Sequence, residues 1–310
     1  MSNSVTNIVC HNCGSINTAL YATASDIEYF TTADPFDYYQ CHHCNVLFIH
    51  PLPDNELQLI YPANYYSFTN SKGSISFKIK NYLDKLFFKK IFKDINGNNL
   101  AILDAGGGTG WLVDSIKTFE PRIGFTQIVD IDQNAAVAAR AKGHDYFLGR
   151  LEDYNSEKKF HIILLLNFIE HVANPAAIMN KVQSLLHDNG VIIIKTPNYQ
   201  SLDARIFKNK SWGGYHCPRH WVLFNKASAV QLFRESGLTV KSFSYTQGAP
   251  FWTVSILNYL YQKKWIRAST ARPLILSSSF YPCQYFNSCI RFCKKAIRTT
   301  FANVFCTYKE

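Results

Sequence analysis

No stretch of the 310 residues reaches the roughly 18 uninterrupted apolar residues that a membrane-spanning helix needs. The longest apolar runs, HIILLLNFI and FWTVSILNYLY, fall well short. The N-terminal MSNSVTNIVC lacks the basic segment followed by an apolar one that marks a secretory leader. Internal repeats and low-complexity tracts are missing as well. These absences make a cytoplasmic protein the expectation. The nine cysteines are odd in number, and four of them form two C-x-x-C pairs, which suits metal in a reducing compartment better than a disulfide framework. Cys217, Cys283, Cys289, Cys293 and Cys306 read as ordinary thiols.

Positive charge is present but local. Of the formal +10, residues 72–93 carry +6 and residues 263–310 carry +8, so the rest of the chain is net acidic. The first segment, FKIKNYLDKLFFKKIFK, spaces apolar residues at 79, 83, 86 and 87 and lysines at 85, 89 and 93, the pattern of an amphipathic helix with a basic face.

The two pairs, CHNC at 10–13 and CHHC at 41–44, stand 27 residues apart. Two thiolates on one turn both reach a tetrahedral ion, and two such turns close a four-sulfur site with no open position. Cys10, Cys13, Cys41 and Cys44 are therefore expected to hold a structural Zn2+ that supports folding rather than catalysis.

From residue 100 a new rhythm begins, in which short β-rich runs alternate with helical ones. LAILDA, FTQIVDID, HDYFLG, FHIILLLN and VIIIKTP read as strands; GWLVDSIKTF, QNAAVAARAKG and AAIMNKVQSLLHDNG read as helices, the last closed by Gly190. SAVQLFRESG, LTVKSFSY and ANVFCTYK add a helix and two strands, the final one possible in an antiparallel setting. Such alternation means βαβ units and an α/β, doubly wound, mostly parallel sheet with helices on both faces.

The first strand runs into ILDAGGGTG, which places four glycines in residues 106–110. A phosphate-binding P-loop would need a Lys after them, where Trp111, Leu112 and Val113 stand. The dinucleotide fingerprint would need Gly at Trp111. What remains is Asp104 followed by Gly106, Gly108 and Gly110, which resembles motif I of the class I S-adenosylmethionine-dependent methyltransferases. Asp130, twenty-four residues after Gly106 at the end of the next strand, stands where an acidic side chain takes both ribose hydroxyls; Asp132 reads as a helix cap. The resemblance continues through FLGRLEDY, NFIEHVANP and GVIIIKTPN to PRHWVLFN, covering about residues 75–245, and departs at His161, where members commonly carry Asp.

The resemblance implies a Rossmann-like seven-stranded sheet and S-adenosylmethionine as cofactor. Asp104, Gly106, Gly108, Gly110 and Asn167 would face its methionyl part, Asp130 the ribose, and Leu151 and Glu152 the adenine. His171 and His220 are the candidate general bases, with Tyr215 and His216 in the same loop behind them. A zinc-ribbon-like module before such a domain resembles bacterial enzymes acting on cell-surface sugars and natural products. The expected organisation is a zinc-binding module at 1–50, a linker and basic helix at 51–98, and a methyltransferase domain at 99–310 with a helical insertion at about 250–300. The expected acceptor is a small molecule, such as a sugar, a lipid-linked precursor or a related metabolite. The basic helix and NYLYQKKWIRASTARP suggest peripheral contact with an anionic membrane surface at its inner face. An RNA methyltransferase and a non-catalytic membrane-surface module are the alternatives; NFIEH lacks the Asn/Asp-Pro-Pro-aromatic pattern of base N-methylating enzymes, so nucleic acid is set aside.

Overall fold

Leu100–Ala105 is buried at every position, as a strand covered by helices on both faces must be. The computed structural model describes residues 8–62, 75–209, 211–246, 249–270 and 303–309. Leu100–Ala105 (β4) lies near the middle of a seven-stranded sheet with β5 (Ile123–Asp130), β6 (Asp145–Leu148), β7 (Phe160–Leu166), β8 (Leu186–Thr196), β10 (Leu238–Tyr245) and β11 (Asn303–Lys309). The order is β10-β11-β8-β7-β4-β5-β6, with β11 antiparallel to both neighbours and the other pairings parallel. The Rossmann-like expectation is met.

Alternate residues of each central strand serve opposite faces. Leu100, Ile102, Ile162, Leu164, Val191 and Ile193 pack against α2 (Ile75–Phe92), α3 (Trp111–Lys117) and α4 (Gln133–Ala141). Ala101, Leu103, Ile163, Leu165, Ile192 and Ile194 pack against α5 (Pro175–Leu185) and α7 (Lys226–Glu235). Near the end of β8's neighbourhood lie α6 (Leu202–Ile206) and, later, α8 (Ala249–Gln262), the one part of the expected 250–300 insertion that falls among described helices. Residues 271–302, with Cys283, Cys289 and Cys293, lie outside the described residues.

The N-terminal strands β1 (Thr18–Ala24), β2 (Phe36–Cys41) and β3 (Leu47–His50) form an antiparallel sheet that β9 (Val222–Leu223) completes. The N-terminal residues thus share a sheet with the PRHWVLFN stretch. A short helix, α1 (Leu57–Ile60), follows.

Two details differ from expectation. Helix α5 ends at Leu185, and Gly190 lies inside β8. Leu186 is fully buried and pairs with Phe160, which forces the chain into extended geometry there, and the exposed Asp188 and Asn189 bulge out before Val191 pairs with Ile162. In α2 the buried stripe is Phe88, Ile91 and Phe92, whereas Leu83 and Leu86, expected on the apolar face, are exposed beside Tyr82. Phe88 and Phe92 share a core with Val113 and Ile116 of α3, and that contact sets the rotation of the helix.

Candidate active site

Strand β4 delivers Asp104, only 3% exposed, to the foot of the glycine turn. Gly106, Gly108 and Gly110 take φ of +74°, +51° and +72°, a region that L side chains enter at a cost. The neighbours exclude side chains for a second reason. A Cβ at Gly107 would sit 2.7 Å from the Asp104 carboxyl, and one at Gly110 2.6 Å from the His144 ring. At Gly108 no protein atom lies within 4 Å of that position, so this side of the turn is open to a ligand.

Asp130 closes the turn. Its Oδ2 accepts the Gly108 N–H at 2.8 Å and its Oδ1 the Asp132 N–H at 3.0 Å. Each oxygen keeps a lone pair for a further donor, the arrangement a pair of ribose hydroxyls requires. Burial raises the Asp130 carboxyl above its usual range, and burial, with the charge of Asp130 second, pushes Asp104 up to about 8. Asp132 caps α4 as expected, accepting the N–H groups of Asn134 and Ala135.

Asn167 follows β7 in left-handed geometry (φ +54°), tied by its N–H to the Lys195 carbonyl at 2.7 Å, with its side chain exposed. Phe168 beside it is the nearest atom set to a Cβ on Gly106, at 3.2 Å. Glu152 is exposed on the turn after β6, whereas Leu151 is 1% exposed and belongs to the core with Tyr154 and Phe160. Turns at the carboxyl ends of β4, β5, β6 and β7 therefore carry the expected cofactor residues, where open α/β sheets bind ligands.

His171 and His220, 49 positions apart in the chain, come together with ring centroids 4.7 Å apart and planes at 75°. His171 Nδ1 lies 3.0 Å from the Arg219 carbonyl, and His220 Nδ1 2.8 Å from the Gly214 carbonyl. A carbonyl only accepts, so His220 Nδ1 carries hydrogen and its Nε2 presents a lone pair; His171 Nδ1 also lies 3.0 Å from the Tyr61 hydroxyl, which donates or accepts according to the tautomer of the ring. Burial first, and His216 second, drive His171 down to about 3; burial and His171 hold His220 well below its ordinary value. Both rings are neutral at pH 7.

The loop that carries His220 is a packed wall: every residue from Ser211 to Asn225 is buried. Tyr215 donates its hydroxyl to the Lys208 carbonyl, and His216 pairs with Glu28 at 2.8 Å. Tyr38 of β2 places its hydroxyl within 3.0 and 3.1 Å of the Tyr215 and His220 carbonyls. Arg219, fully buried, binds Asp26, the Ile60 carbonyl and the Cys217 carbonyl. Cys217 is a buried thiol that burial raises.

Cys10, Cys13, Cys41 and Cys44 bring their sulfurs within 4.8 Å of one another. The Cys10–Cys44 and Cys13–Cys41 separations are 3.7 and 3.6 Å, close to the roughly 3.8 Å edge of a tetrahedron with Zn–S of about 2.3 Å. The donor set fits such an ion.

Sequence reasoning missed Asp26, Glu28, Glu170, Arg219 and His144. His144 packs under Gly110 and is held between Thr126 and Asp114 at 2.8 and 2.9 Å. Of these, only Glu170 had a local signal, its place beside His171 in NFIEH.

Residues 78–242, more than half of the chain, match the methyltransferase domain family. A ubiquinone biosynthesis O-methyltransferase of Rhodopseudomonas palustris (strain HaA2) is 30% identical over 109 residues, 33% of this chain and 41% of that protein. One of Bradyrhizobium sp. (strain ORS 278) is 28% identical over 120 residues, 36% of this chain and 46% of that protein. The chain thus spans less than half the length of the curated relatives it matches. Among solved structures, coclaurine N-methyltransferase bound to N-methylheliamine and SAH superposes with a TM-score of 0.52 at 11% identity, covering 78% of this chain and 76% of that one. The [4+2]-cyclase SpnF gives 0.50 at 10% identity, covering 78% and 84%. At such identities the likeness is one of fold, and the fold hosts more than one chemistry. The family match is more specific, since residues 78–242 contain the glycine turn, Asp130, Asn167 and both histidines; the chain belongs to the methyltransferase domain family.

Proposed function

We propose that the chain is an S-adenosylmethionine-dependent methyltransferase acting on a hydroxyl of a small molecule. The observation that carries this reading is the open face of Gly108 beside Asp130, whose two oxygens each retain a lone pair. The cofactor, when bound, supplies an electrophilic methyl group on a sulfonium. The chain's part is then to bind, align and exclude water. Gly106, Gly108 and Gly110 let the backbone lie against the methionyl portion, with Asp104 beneath and Asn167 opposite. Asp130 takes the ribose hydroxyls, and Glu152 stands at the adenine end; Leu151 supports that end from the core.

His171 and His220 face the acceptor, and either Nε2 can take a hydroxyl proton. A hydroxyl acceptor agrees with the O-methyltransferase names of the relatives. A sugar, a lipid-linked precursor or a related metabolite fits. Peripheral contact with an anionic membrane is consistent with Tyr82, Leu83 and Leu86, exposed on α2 among Lys85, Lys89 and Lys90; no described helix is long and apolar enough to cross a membrane. The four thiolates hold a structural Zn2+.

Calorimetric titration with S-adenosylmethionine tests the proposal. Binding is expected, weakened at least tenfold by Asp130→Ala, and followed by transfer of labelled methyl to an acceptor from a hydroxyl-bearing panel. A wild-type chain that binds no cofactor overturns it.

A further inference from the structure

Glu170 stands between Ile169 and His171 with no exposed surface. Neither of its carboxylate oxygens has a hydrogen-bond partner at bonding geometry, although the Thr196 hydroxyl is near enough to act on it. A carboxylate this deep needs a compensating charge or donor. Arg219 is already paired with Asp26, and the charge of Lys195 offsets the burial of Glu170 only in part.

One Glu170 oxygen and one ring nitrogen each of His171 and His220 lie within 4.8 Å of one another. The tautomers decide what that cluster offers. The His220 Nδ1–H is spent on the Gly214 carbonyl at 2.8 Å, which leaves its Nε2 lone pair; His171 Nδ1 lies 3.0 Å from both the Arg219 carbonyl and the Tyr61 hydroxyl, and in the tautomer that donates to the carbonyl its Nε2 is left with a lone pair too. Three acceptors thus converge on one point. A ligating histidine typically donates its other N–H to a carbonyl or carboxylate; His220 does so to Gly214, and His171 has the Arg219 carbonyl within reach for the same bond. Two imidazoles and one carboxylate, with further positions open, form a set that suits divalent first-row transition ions and catalytic rather than closed sites. His171, the one partly exposed member, leaves a route of entry.

We propose that Glu170, His171 and His220 form a second metal centre, separate from the four thiolates, that takes a divalent transition ion such as Zn2+, Co2+ or Fe2+. The three ligands come from the turn after β7 and from the 211–221 wall, so the ion stitches these two together. Resting on the methyltransferase reading, its open position is where an acceptor hydroxyl binds. In the metal-loaded chain coordination would lower the pKa of that hydroxyl, and the imidazoles, bases in the metal-free chain, would act there as ligands.

The test uses the full chain, stripped with a chelator and titrated with Co2+ while absorption and bound metal are measured. Two ions per chain are expected. One shows thiolate-to-cobalt charge transfer and is lost in Cys41→Ser. The other lacks it and is lost in Glu170→Gln and His220→Ala, which keep the first. His171→Gln serves as the partly exposed variant where a buried substitution fails to fold. A wild type that binds one ion only, or two that survive in all three variants, overturns the centre and leaves Glu170 as a neutral carboxylic acid. Calorimetry with S-adenosylmethionine on the same samples separates the claims. Cofactor binding without a second ion refutes the metal centre alone, and a second ion without cofactor binding refutes only the proposed activity.

Discussion

Arg219 and Asp26 lie 193 residues apart in the chain and meet at 2.9 Å with both side chains wholly buried. Burial alone would raise the Asp26 carboxyl; the guanidinium, together with the Thr31 hydroxyl and the Tyr29 N–H, outweighs it and holds the group below its ordinary value. The pair fastens the loop between β1 and β2 to the wall that carries His220, and the Tyr29 ring covers the guanidinium at 4.6 Å. The N-terminal strands are therefore part of the frame that holds His220.

Removing one partner of a buried pair leaves the other charge uncompensated, which costs about 3–5 kcal/mol. Asp26→Ala is accordingly expected to lower the unfolding free energy from urea melts by that amount and to reduce turnover more than cofactor affinity, because Asp130 and the glycine turn do not touch it. A variant with wild-type stability would show that Arg219 finds equal compensation from its carbonyl partners.

Gly108→Ala separates backbone strain from cofactor contact. Left-handed geometry costs an alanine about 1–2 kcal/mol, and no protein atom lies within 4 Å of the added carbon. Gly237, at φ +68° between α7 and the edge strand β10, meets only the end of the Gln183 side chain, at 3.9 Å, and lies away from β4 and its turn. Both alanine variants should lose similar stability, but only Gly108→Ala should weaken S-adenosylmethionine binding, by tenfold or more. Equal affinities in the two would mean that the cofactor does not lie on Gly108.

Asp104 gives the pH dependence a definite sign. Its carboxyl titrates at about 8 in the folded chain and at roughly 4 when unfolded. Between these values the folded state holds a proton that the unfolded state has released, so stability falls as pH rises through the window and levels off above about 8. The slope from this group is at most about 1.4 kcal/mol per pH unit. Asp104→Asn should remove it, so the variant gains on the wild type from pH 5 to 8 in urea melts. Parallel pH profiles for the two proteins would refute the raised value.

The cofactor side was legible in the sequence because its parts are local. Asp104 and three glycines fall within seven residues, and Asp130 ends the very next strand, so strand, turn and helix cap can be read without tertiary knowledge. The cysteine pairs were legible for the same reason. Asp26, Glu28 and Arg219 were not, since their meaning arises from contacts 188 and 193 residues apart. Glu170 was visible as half of a Glu-His pair, but its burial depends on β8 and on the wall closing over it. Gly190 misled as a helix stop because the burial of Leu186 overrode local glycine chemistry, and Leu83 and Leu86 misled because α3 chose a different face of α2.

Stripping the four-thiolate ion should reach the acceptor side as well. Cys41 ends β2 and Cys44 lies on the turn into β3, so an ion on the four thiolates would hold the hairpin that presents Tyr38. With the ion gone, four thiols packed 3.6–3.7 Å apart in pairs have nothing to hold them, and the hairpin should open. Tyr38 would then release the Tyr215 and His220 carbonyls. Chelation, or Cys41→Ser, is expected to expose residues 8–50 to limited proteolysis and to cut methyl transfer sharply, while S-adenosylmethionine affinity changes less than threefold, since β4, β5 and the glycine turn lie in the other sheet. If proteolysis stays unchanged under metal loss, the ion does not organise the hairpin; if cofactor affinity collapses with activity, the two sheets are one cooperative unit and the division of labour drawn above fails.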